Sequence, residues 1–414
     1  MSTPSRPRLR PRTRPPGLLS VLLVALLSGC DPGRLMGAAS APPAAPEAAP
    51  ESAPDHAQAG DPAARAASAP VRVVVCQGGA RELGAQAAAG QGDIIRRLLW
   101  LTAVRSLPAR LLHPTRTAGL INAIPPAYRE ELVEIAAVSG VSPGLVLTAN
   151  VLVDSQCSAL VSPPGADAPL RVARNLDFFP ASVVGPRSEV VVRRPLGRHA
   201  FVSLGWPGFA AVTSGMNDAG VTACVLLNRN QPGMRPGMPV CFRIREILER
   251  AGNLEEAVAC FQSSAVASSH YVLLADRDSC ALVWQGADGM HRDDPRAGWL
   301  AAANGKRVEG VPLDGRGQRL QAIAERLGSG AVSAAVMRQA LTATYMDTLN
   351  AQAMVFVPAR LTVEFSFGTA WHPAALGQWR RIALADLFAG RTAAPATLEE
   401  LGRVAALPHP LSLH

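Results

Sequence analysis

Residues 151–180 read VLVDSQCSALVSPPGADAPLRVARNLDFFP, and the two apolar runs in this stretch decide the fold. Cys157 opens the first run, and Arg174, Asn175 and Asp177 lie on the second. The turn signals between the runs, Pro-Pro-Gly above all, predict two short strands separated by a loop. A packed core has no use for two charges and an amide beside a thiol, so chemistry is expected here.

A cysteine acts as a nucleophile when a base takes its proton and a polar or positive setting favours the thiolate. No histidine lies near Cys157 in the sequence, and His199 and His270 approach it only through the fold. A cut between Gln156 and Cys157 would supply another base, because the new α-amine has a reference pKa of about 7.7–8.0 and belongs to the same residue as the thiol. We expect an autocatalytic cut, in which the thiol attacks the Gln156 carbonyl and water resolves the thioester.

The first 29 residues have the pattern of an export signal. Five arginines within 6–14 precede the apolar run 18–27, which is too short to span a bilayer as a helix. The run leads into Leu27-Ser28-Gly29-Cys30, which resembles a bacterial lipobox and implies cleavage before Cys30 and lipid on its thiol. An ordinary signal peptide that happens to contain a cysteine is the alternative.

These features divide the chain into four parts. Residues 1–29 are the signal, and residues 30–70 are a lipidated cysteine followed by an Ala/Pro-rich tether with too little apolar surface to order itself. Residues 71–156 form an N-terminal segment, and residues 157–414 form the larger chain that the cut would release. The expected location is the cell envelope, on the periplasmic side of the inner or the outer membrane.

The net charge of +8 does not indicate a nucleic-acid partner. Five of the positive charges lie in the signal, Lys306 is the only lysine, and no stripe of arginines interleaved with aromatic residues is visible. The seven cysteines include no C-x-x-C pair and no Cys/His cluster with zinc spacing, so we expect neither a metal nor a cofactor. Disulfides stay open among the six cysteines after Cys30, although several lie on apolar runs typical of small core residues.

Hydrophobic patterning predicts alternating blocks of helices and strands. Helices are expected in 80–107, in 125–140, as two helices in 239–262 broken at Gly252-Asn253, and in 317–328. Strands are expected at 71–79, in short runs from 157 to about 222, at 270–276, 280–286 and 298–305, and finally at 351–359 and 361–368. This order predicts an α+β fold of layers with antiparallel sheets.

Seven motifs follow one another between about residues 73 and 370. They are QGGARELGAQAAAGQGDII, IPPAYREELVEIAAVSGVS, SQCSALV, ARNLDFF, TSGMNDAGVTACVLLN, AAANG and TLNAQAMVFVP. In this order they resemble the N-terminal-nucleophile (Ntn) hydrolases of the C45 kind, the acyl-CoA:6-aminopenicillanic acid acyltransferase-like family, which is related to choloylglycine hydrolases and acid ceramidase. The resemblance implies a four-layer αββα sandwich and the hydrolysis or transfer of an acyl group at a linear amide, through a thioester.

The resemblance also implies a role for each residue of the site. Cys157 is the nucleophile, its freed amine is the base, and Asp177 holds that amine. Arg174 screens Asp177 and favours the thiolate. Asn228 and Asn304 orient the amine and supply an oxyanion donor. The substrate implied is a small-molecule N-acyl amide.

Arg319 is a further candidate, as the match to a later arginine of the family. Three positions depart from the family's pattern. Gln156 stands where a small residue usually precedes the nucleophile, Ser158-Ala159 replaces Thr-Ser, and Gly305 follows Asn304 where a histidine is frequent. Nothing in the sequence indicates the acyl and amine specificity or the oligomeric state.

Two other functions remain open at this point. An uncleaved thiol hydrolase would use a histidine such as His199 as its base. A surface-tethered binding lipoprotein on an inactive hydrolase scaffold is the non-enzyme alternative, to which Gln156 lends weight. The number of chains in the mature protein separates self-cleavage from both.

The lipobox makes a prediction about location. Cys30→Ser should release the protein into the soluble periplasm, because the lipid is attached to that thiol. A flexible tether of about forty residues would span roughly 35 Å, taking 5–6 Å × √n, which holds the domain off the membrane. Fractionation of wild-type and Cys30→Ser cells checks this, and a wild-type protein already free in the periplasm would show that the lipobox interpretation is wrong.

Overall fold

Two β-sheets stacked face to face, with helices against both outer faces, form the fold. The computed structural model describes residues 70–405 except 102–113, 152–155, 167, 228–235, 269, 287, 296–297, 305–319, 321–322, 324–326, 328–329 and 392–396. All described residues belong to one unit of the chain, Gly60–His414. The predicted signal, Cys30 and all but the last residue of the predicted tether therefore lie outside the described residues.

The described strands number fifteen. They are β1 (Val73–Gly78), β2 (Gln156–Ser162), β3 (Arg171–Asp177), β4 (Glu189–Pro195), β5 (Phe201–Gly205), β6 (Ser214–Asn217), β7 (Thr222–Leu226), β8 (Tyr271–Ala275), β9 (Cys280–Gln285), β10 (Met290–Asp293), β11 (Leu300–Ala303), β12 (Asn350–Val357), β13 (Thr362–Phe367), β14 (Trp379–Ala383) and β15 (Glu399–Gly402). Sheet A has the order β1-β4-β5-β6-β7-β8-β9-β10, and sheet B has the order β11-β2-β3-β12-β13-β14-β15. The hairpin quoted at the outset is thus the β2–β3 pair within sheet B.

The helices with complete bounds are α1 (Ala80–Ala88), α2 (Pro114–Asn122), α3 (Pro126–Ser139), α4 (Pro143–Val151), α5 (Ala181–Val184), α6 (Val240–Arg250), α7 (Leu254–Gln262), α8 (Ala334–Leu341) and α9 (Ala385–Phe388). Residues 92–101 are also helical. None of the helices in the described part of the chain is both long and apolar enough to cross a bilayer.

Three apolar clusters define the layers. The inter-sheet core joins Val192 and Leu226 of sheet A to Cys157 and Phe356 of sheet B. A second cluster joins the outer face of sheet A to helices α2, α3, α4, α6 and α7, and a third joins the outer face of sheet B to α8. Helix, sheet, sheet, helix is the order of an αββα sandwich, so the predicted α+β fold class is confirmed.

Sheet A departs from the expected antiparallel pattern at one edge. β1 pairs with β4 in parallel, from Val73 opposite Val190 to Gly78 opposite Pro195. A parallel pair needs a long crossover, and the connection from β1 to β4 runs through α1–α4 and the β2–β3 hairpin. The other described strand pairs are antiparallel.

The patterning also missed elements near the end of the chain. The expectation that the strand at 361–368 is the last was wrong, because β14 and β15 follow it. These two strands lie at the edge of sheet B and pair charged residues, Arg380 with Glu400 and Arg381 with Glu399, so they carry no apolar alternation. The predicted helix at 317–328 falls mostly outside the described residues.

Helix α3 shows how the sequence sets local structure. Pro126 is its first residue, where a missing N–H leaves no bond unmade, and Gly140 ends it in the left-handed conformation with φ of 65°. Its apolar side, which includes Leu132, is buried. Helix α1 crosses α3 at Gly84, where an added Cβ would lie 2.5 Å from the carbonyl oxygen of Glu131. Only glycine allows this close approach.

A buried ion-pair network joins the N-terminal segment to the larger chain. Glu131 of α3 lies 3.2 Å from Nε of Arg193 on β4 and 2.6 Å from Nη2 of Arg245 on α6. Glu249 accepts a hydrogen bond from Nε of Arg245 at 2.8 Å and one from the Tyr128 hydroxyl at 2.9 Å. Two carboxylates thus face two guanidinium groups, and the desolvated charges compensate one another.

Glu131→Gln should lower the free energy of unfolding by about 3 kcal/mol, because it leaves two buried guanidinium groups facing one carboxylate. Glu130→Gln is the matched control, since Glu130 is exposed and its ion pair with Arg81 lies at the surface. That change should cost less than about 0.5 kcal/mol. Urea unfolding of both variants compares them, and equal losses would contradict the role assigned to the network.

Candidate active site

Cys157 lies between the two sheets, one residue inside the start of β2. In the β2–β3 ladder it is opposite Leu176, and Ala159 is opposite Arg174. Neighbours across a ladder share a face, so the side chains of Cys157 and Arg174 both point towards sheet A. Both residues have no exposed surface. The hairpin therefore brings the predicted nucleophile and the predicted arginine together.

Four acceptors hold the guanidinium of Arg174. Nη2 donates to Sγ of Cys157 at 3.0 Å and to the carbonyl oxygen of Val225 at 2.6 Å. Nη1 donates to the carbonyl oxygen of Thr213 at 2.8 Å and to the Ser214 hydroxyl. Strands β6 and β7 of sheet A thus fix a positive charge against the sulfur, where it stabilises negative charge.

Asn304 approaches Cys157 from the other side of β2. It directly follows β11, in which Ala303 is opposite Ser158. Oδ1 of Asn304 accepts a hydrogen bond from the backbone N–H of Cys157 at 2.7 Å, and Nδ2 donates to Oε1 of Gln156 at 3.4 Å. One buried amide therefore contacts both residues of the predicted cleavage point.

Asp177 lies at the end of β3, opposite Gln156. Its Oδ1 accepts hydrogen bonds from Nδ2 of Asn350 at 2.9 Å and from the backbone N–H of Met346 at 3.3 Å. Successive side chains of a strand alternate, so Asp177 and Arg174, three positions apart, belong to opposite faces of β3. The guanidinium of Arg174 is directed to the thiol, and its screening of Asp177 stays a prediction.

The structure leaves two of the predicted site residues without a position. Asn228 and Arg319 both lie outside the described residues, and they stay predictions from the resemblance. Asn217 is a turn residue: its Oδ1 accepts from the backbone N–H groups of Ala219 and Val221 and closes the β6–β7 turn.

His199 is not near the thiol. Its Nδ1 lies 2.6 Å from Oδ1 of Asp218, which directly follows β6. Arg174 contacts the opposite end of that strand, at Ser214. A strand rises about 3.3 Å per residue, so the His199–Asp218 pair is displaced roughly 13 Å along β6 from the site.

His270 lies closer. It directly precedes β8, the strand that pairs with β7, whose Val225 carbonyl binds Arg174. Its Nδ1 lies 2.7 Å from the Ser268 hydroxyl. Of the two histidines considered, His270 is therefore the nearer candidate for a thiol–histidine arrangement.

The six cysteines in the described part of the chain are free thiols. Cys224 and Cys241 are buried, and burial raises the pKa of each thiol to about 12, while Arg174 lowers it and Cys157 raises it. Both residues remain protonated at neutral pH and act as small core residues. Within the described residues, no three His, Cys, Asp or Glu side chains converge as a metal site would require.

Two features of the site escaped the sequence reasoning. Asn350, the hydrogen-bond partner of Asp177, lies in the motif TLNAQAMVFVP, from which only a β-strand is predicted. A buried asparagine opening an apolar strand was the available signal. No sequence signal marks the carbonyl groups of Thr213 and Val225 as ligands of Arg174, because every residue has a backbone carbonyl group. Only the packing of sheet A on sheet B brings these two to Arg174.

Residues 165–294 match the model of the acyl-coenzyme A:6-aminopenicillanic acid acyl-transferase family. The matched span contains Arg174 and Asp177, while Cys157 and Asn304 flank it. The match confirms the resemblance that the motifs predicted, to a family of Ntn amide hydrolases and acyltransferases. A search of curated proteins gave no significant match.

Three solved enzymes have structures similar to this chain. The Caenorhabditis elegans ortholog of N-acylethanolamine-hydrolyzing acid amidase is 18% identical, with a TM-score of 0.42 over 49% of this chain and 93% of that one. A mutant of the Clostridium perfringens conjugated bile acid hydrolase is 10% identical (TM-score 0.41, 61% and 99%). Penicillin V acylase from Agrobacterium tumefaciens is 15% identical (TM-score 0.37, 61% and 99%). Because these TM-scores are low, the fold of this chain is assigned from the order of the strands in its own two sheets.

Proposed function

We propose that this chain, an Ntn-family protein by its residues 165–294, cleaves itself before Cys157 and then hydrolyses or transfers acyl groups at linear amides through a Cys157 thioester. One observation carries the proposal: the Cys157 sulfur lies 3.0 Å from a buried guanidinium while its nitrogen lies 2.7 Å from the Asn304 amide oxygen. A spectator cysteine needs neither contact. A nucleophile whose own nitrogen serves as base needs both.

Self-cleavage accounts for the base. In the uncut chain the nitrogen of Cys157 is an amide and accepts no proton. The thiol attacks the carbonyl carbon of Gln156, the C–N bond to Cys157 breaks, and the thiol proton passes to the departing nitrogen. Water then hydrolyses the thioester, which leaves a carboxylate on Gln156 and a free thiol and α-amine on Cys157. The amine inherits the hydrogen bond to Asn304.

Turnover repeats the same steps on a bound substrate. Sγ attacks the carbonyl carbon of an N-acyl amide, the α-amine of Cys157 takes the thiol proton, and it returns a proton to the leaving nitrogen. Water or an acceptor amine then takes the acyl group from the thioester. Nδ2 of Asn304 already reaches an amide carbonyl oxygen, that of the Gln156 side chain, at 3.4 Å, so it is placed to donate to a substrate oxyanion. Such a donor typically contributes about 10²–10³ in rate.

Aromatic side chains beside the nucleophile support an apolar acyl group. Phe178 lies two residues beyond Leu176, the neighbour of Cys157 across the ladder. Its ring is 5.0 Å from that of Trp206, which stacks on Phe209 at 4.4 Å. Phe178 and Trp206 are half-buried and pack against the inter-sheet core that contains Cys157. The names of the similar enzymes, which include N-acylethanolamines and bile acid conjugates, fit such a substrate.

Location in the cell envelope is a second part of the proposal. It is supported by the lipobox ending at Cys30 and by the Ala/Pro-rich stretch after it. Lipid on Cys30 would hold the enzyme at a membrane surface, where amphiphilic N-acyl amides concentrate. The Cys30→Ser fractionation described above tests this part separately from the chemistry.

Self-cleavage predicts two chains in the mature protein. Scaling the 43.3 kDa mass by chain length, residues 157–414 should weigh about 27 kDa and should begin Cys-Ser-Ala-Leu. Intact mass and N-terminal sequencing check this. Cys157→Ala should leave one uncut chain, whereas Cys260→Ala, at a half-buried cysteine of α7, should cleave normally. A fully active single chain would rule out the α-amine as base.

The two candidate bases, the α-amine of Cys157 and a histidine, predict different effects of substitutions on the pH–rate profile. Asp177→Asn should lower turnover of an N-acyl amide at least about tenfold and move the acidic limb of the profile to lower pH. The reason is that loss of the carboxylate charge disfavours the protonated amine and so lowers its pKa. His199→Gln and His270→Gln should leave rate and profile nearly unchanged. If either histidine variant abolishes turnover while Asp177→Asn is tolerated, the base is an imidazole.

A further inference from the structure

Asn350 is a buried amide whose hydrogen bonds converge on Asp177. It is the first residue of β12 and is 1% exposed. Its Nδ2 donates to Oδ1 of Asp177 at 2.9 Å and lies 3.4 Å from Oδ1 of Asn175. Its own Oδ1 accepts from the backbone N–H of Ala375 at 2.7 Å. The side chain therefore bridges the end of β3 and the turn that precedes β14.

The orientation of this amide is determined by its partners. A backbone N–H only donates, so the group facing Ala375 must be the carbonyl oxygen of Asn350. The NH₂ group then necessarily faces Asp177, where a carboxylate only accepts. Aspartate or leucine, the closest residues in size, would each lose this donor.

The backbone around Asn350 is held equally firmly. Its N–H donates to the carbonyl oxygen of Met346 at 2.8 Å, and Met346 in turn donates to Asp177. Gly368 passes so close that an added Cβ would lie 2.8 Å from the carbonyl oxygen of Asn350. Asn350 lies opposite Asp177 in the β3–β12 ladder, and the register shifts between Asn350 and Gln352.

We propose that Asn350 is a positioning residue: it fixes the Asp177 carboxylate so that this carboxylate holds the α-amine of Cys157. The inference rests on the proposed function, because the amine exists only after the cut. Asn350 itself touches neither sulfur nor substrate in this account, and its whole contribution to turnover passes through Asp177. The outer hydrogen-bond partners of metal ligands typically contribute about 10–100-fold in activity, and we expect a loss of that order here.

A purely structural asparagine would behave differently. It would hold β12 against β3, and its removal would lower stability without changing the turnover of the molecules that still fold. Any loss of turnover that it did cause would be independent of Asp177 and would multiply with the loss caused by Asp177→Asn. The effect on kcat, measured per folded active site and in two backgrounds, therefore separates the two roles.

The test is a double-mutant cycle on purified, fully processed protein, with an N-acyl amide as substrate. Asn350→Ala should lower kcat about 10–100-fold with KM changed less than about twofold. In the Asp177→Asn background the same change should cost less than about threefold further, because its route to the amine is already lost. Ser366→Ala, at another buried polar side chain of sheet B, is the control and should leave kcat unchanged.

Exchanging Asp177 and Asn350 separates a loss of kcat caused by misfolding from one caused by misplacing the carboxylate. In the double variant Asp177→Asn/Asn350→Asp the hydrogen bond can form in the reverse direction, so the thermal midpoint should recover relative to Asn350→Asp alone. The kcat should stay low, because the carboxylate no longer faces the amine. Recovery of both properties would overturn the positioning role.

The remaining outcomes distinguish this inference from the function beneath it. A wild-type protein that neither cleaves itself nor turns over amides overturns both. An active wild-type enzyme with full kcat in Asn350→Ala, or with multiplicative losses in the cycle, overturns only the role of Asn350. A loss in Asn350→Ala that vanishes in the Asp177→Asn background supports it.

Discussion

The arrangement of this site depends on the hydrogen bonds that the buried guanidinium of Arg174 donates to both sheets. A charge with no exposed surface is tolerated only when acceptors surround it, and sheet A supplies the carbonyl groups of Thr213 and Val225. The remaining acceptors are the Ser214 hydroxyl of sheet A and the sulfur of Cys157 on sheet B. If either sheet slipped against the other, the buried Arg174 guanidinium would lose its acceptors. The contact that stabilises negative charge on the Cys157 sulfur therefore also fixes how the two sheets stack.

Two contacts between the N-terminal segment and the larger chain lie away from the proposed cut. β1 extends sheet A beside β4, and Glu131 joins Arg193 and Arg245 in the buried network. None of these contacts uses the peptide bond before Cys157. Cutting that bond would therefore free an amine at the site while the segment stays packed, which is what a chain needs if it is to become an enzyme after folding.

Sequence patterning predicted what local periodicity determines and missed what tertiary packing decides. The β2–β3 hairpin, α3 and the break between α6 and α7 follow from apolar spacing and from proline and glycine. The parallel direction of β1 and the charged edge strands β14 and β15 do not, because pairing partners are chosen in the folded state. At the site, the juxtaposition of Cys157, Arg174 and Asn304 followed from motif order. Strand alternation places Arg174 and Asp177 on opposite faces of β3, and the roles of Asn228 and Arg319 stay predictions.

If the acyl group passes through a thioester on a chain that begins at Cys157, the mass of that intermediate is the most direct measurement of the reaction. Enzyme quenched in acid during turnover of an N-acyl amide, then analysed as intact chains, should show the acyl mass added to residues 157–414. Digestion should place the addition on the first residue of that chain. Acyl mass on an uncut chain, or turnover with no acyl adduct on Cys157, would contradict the account.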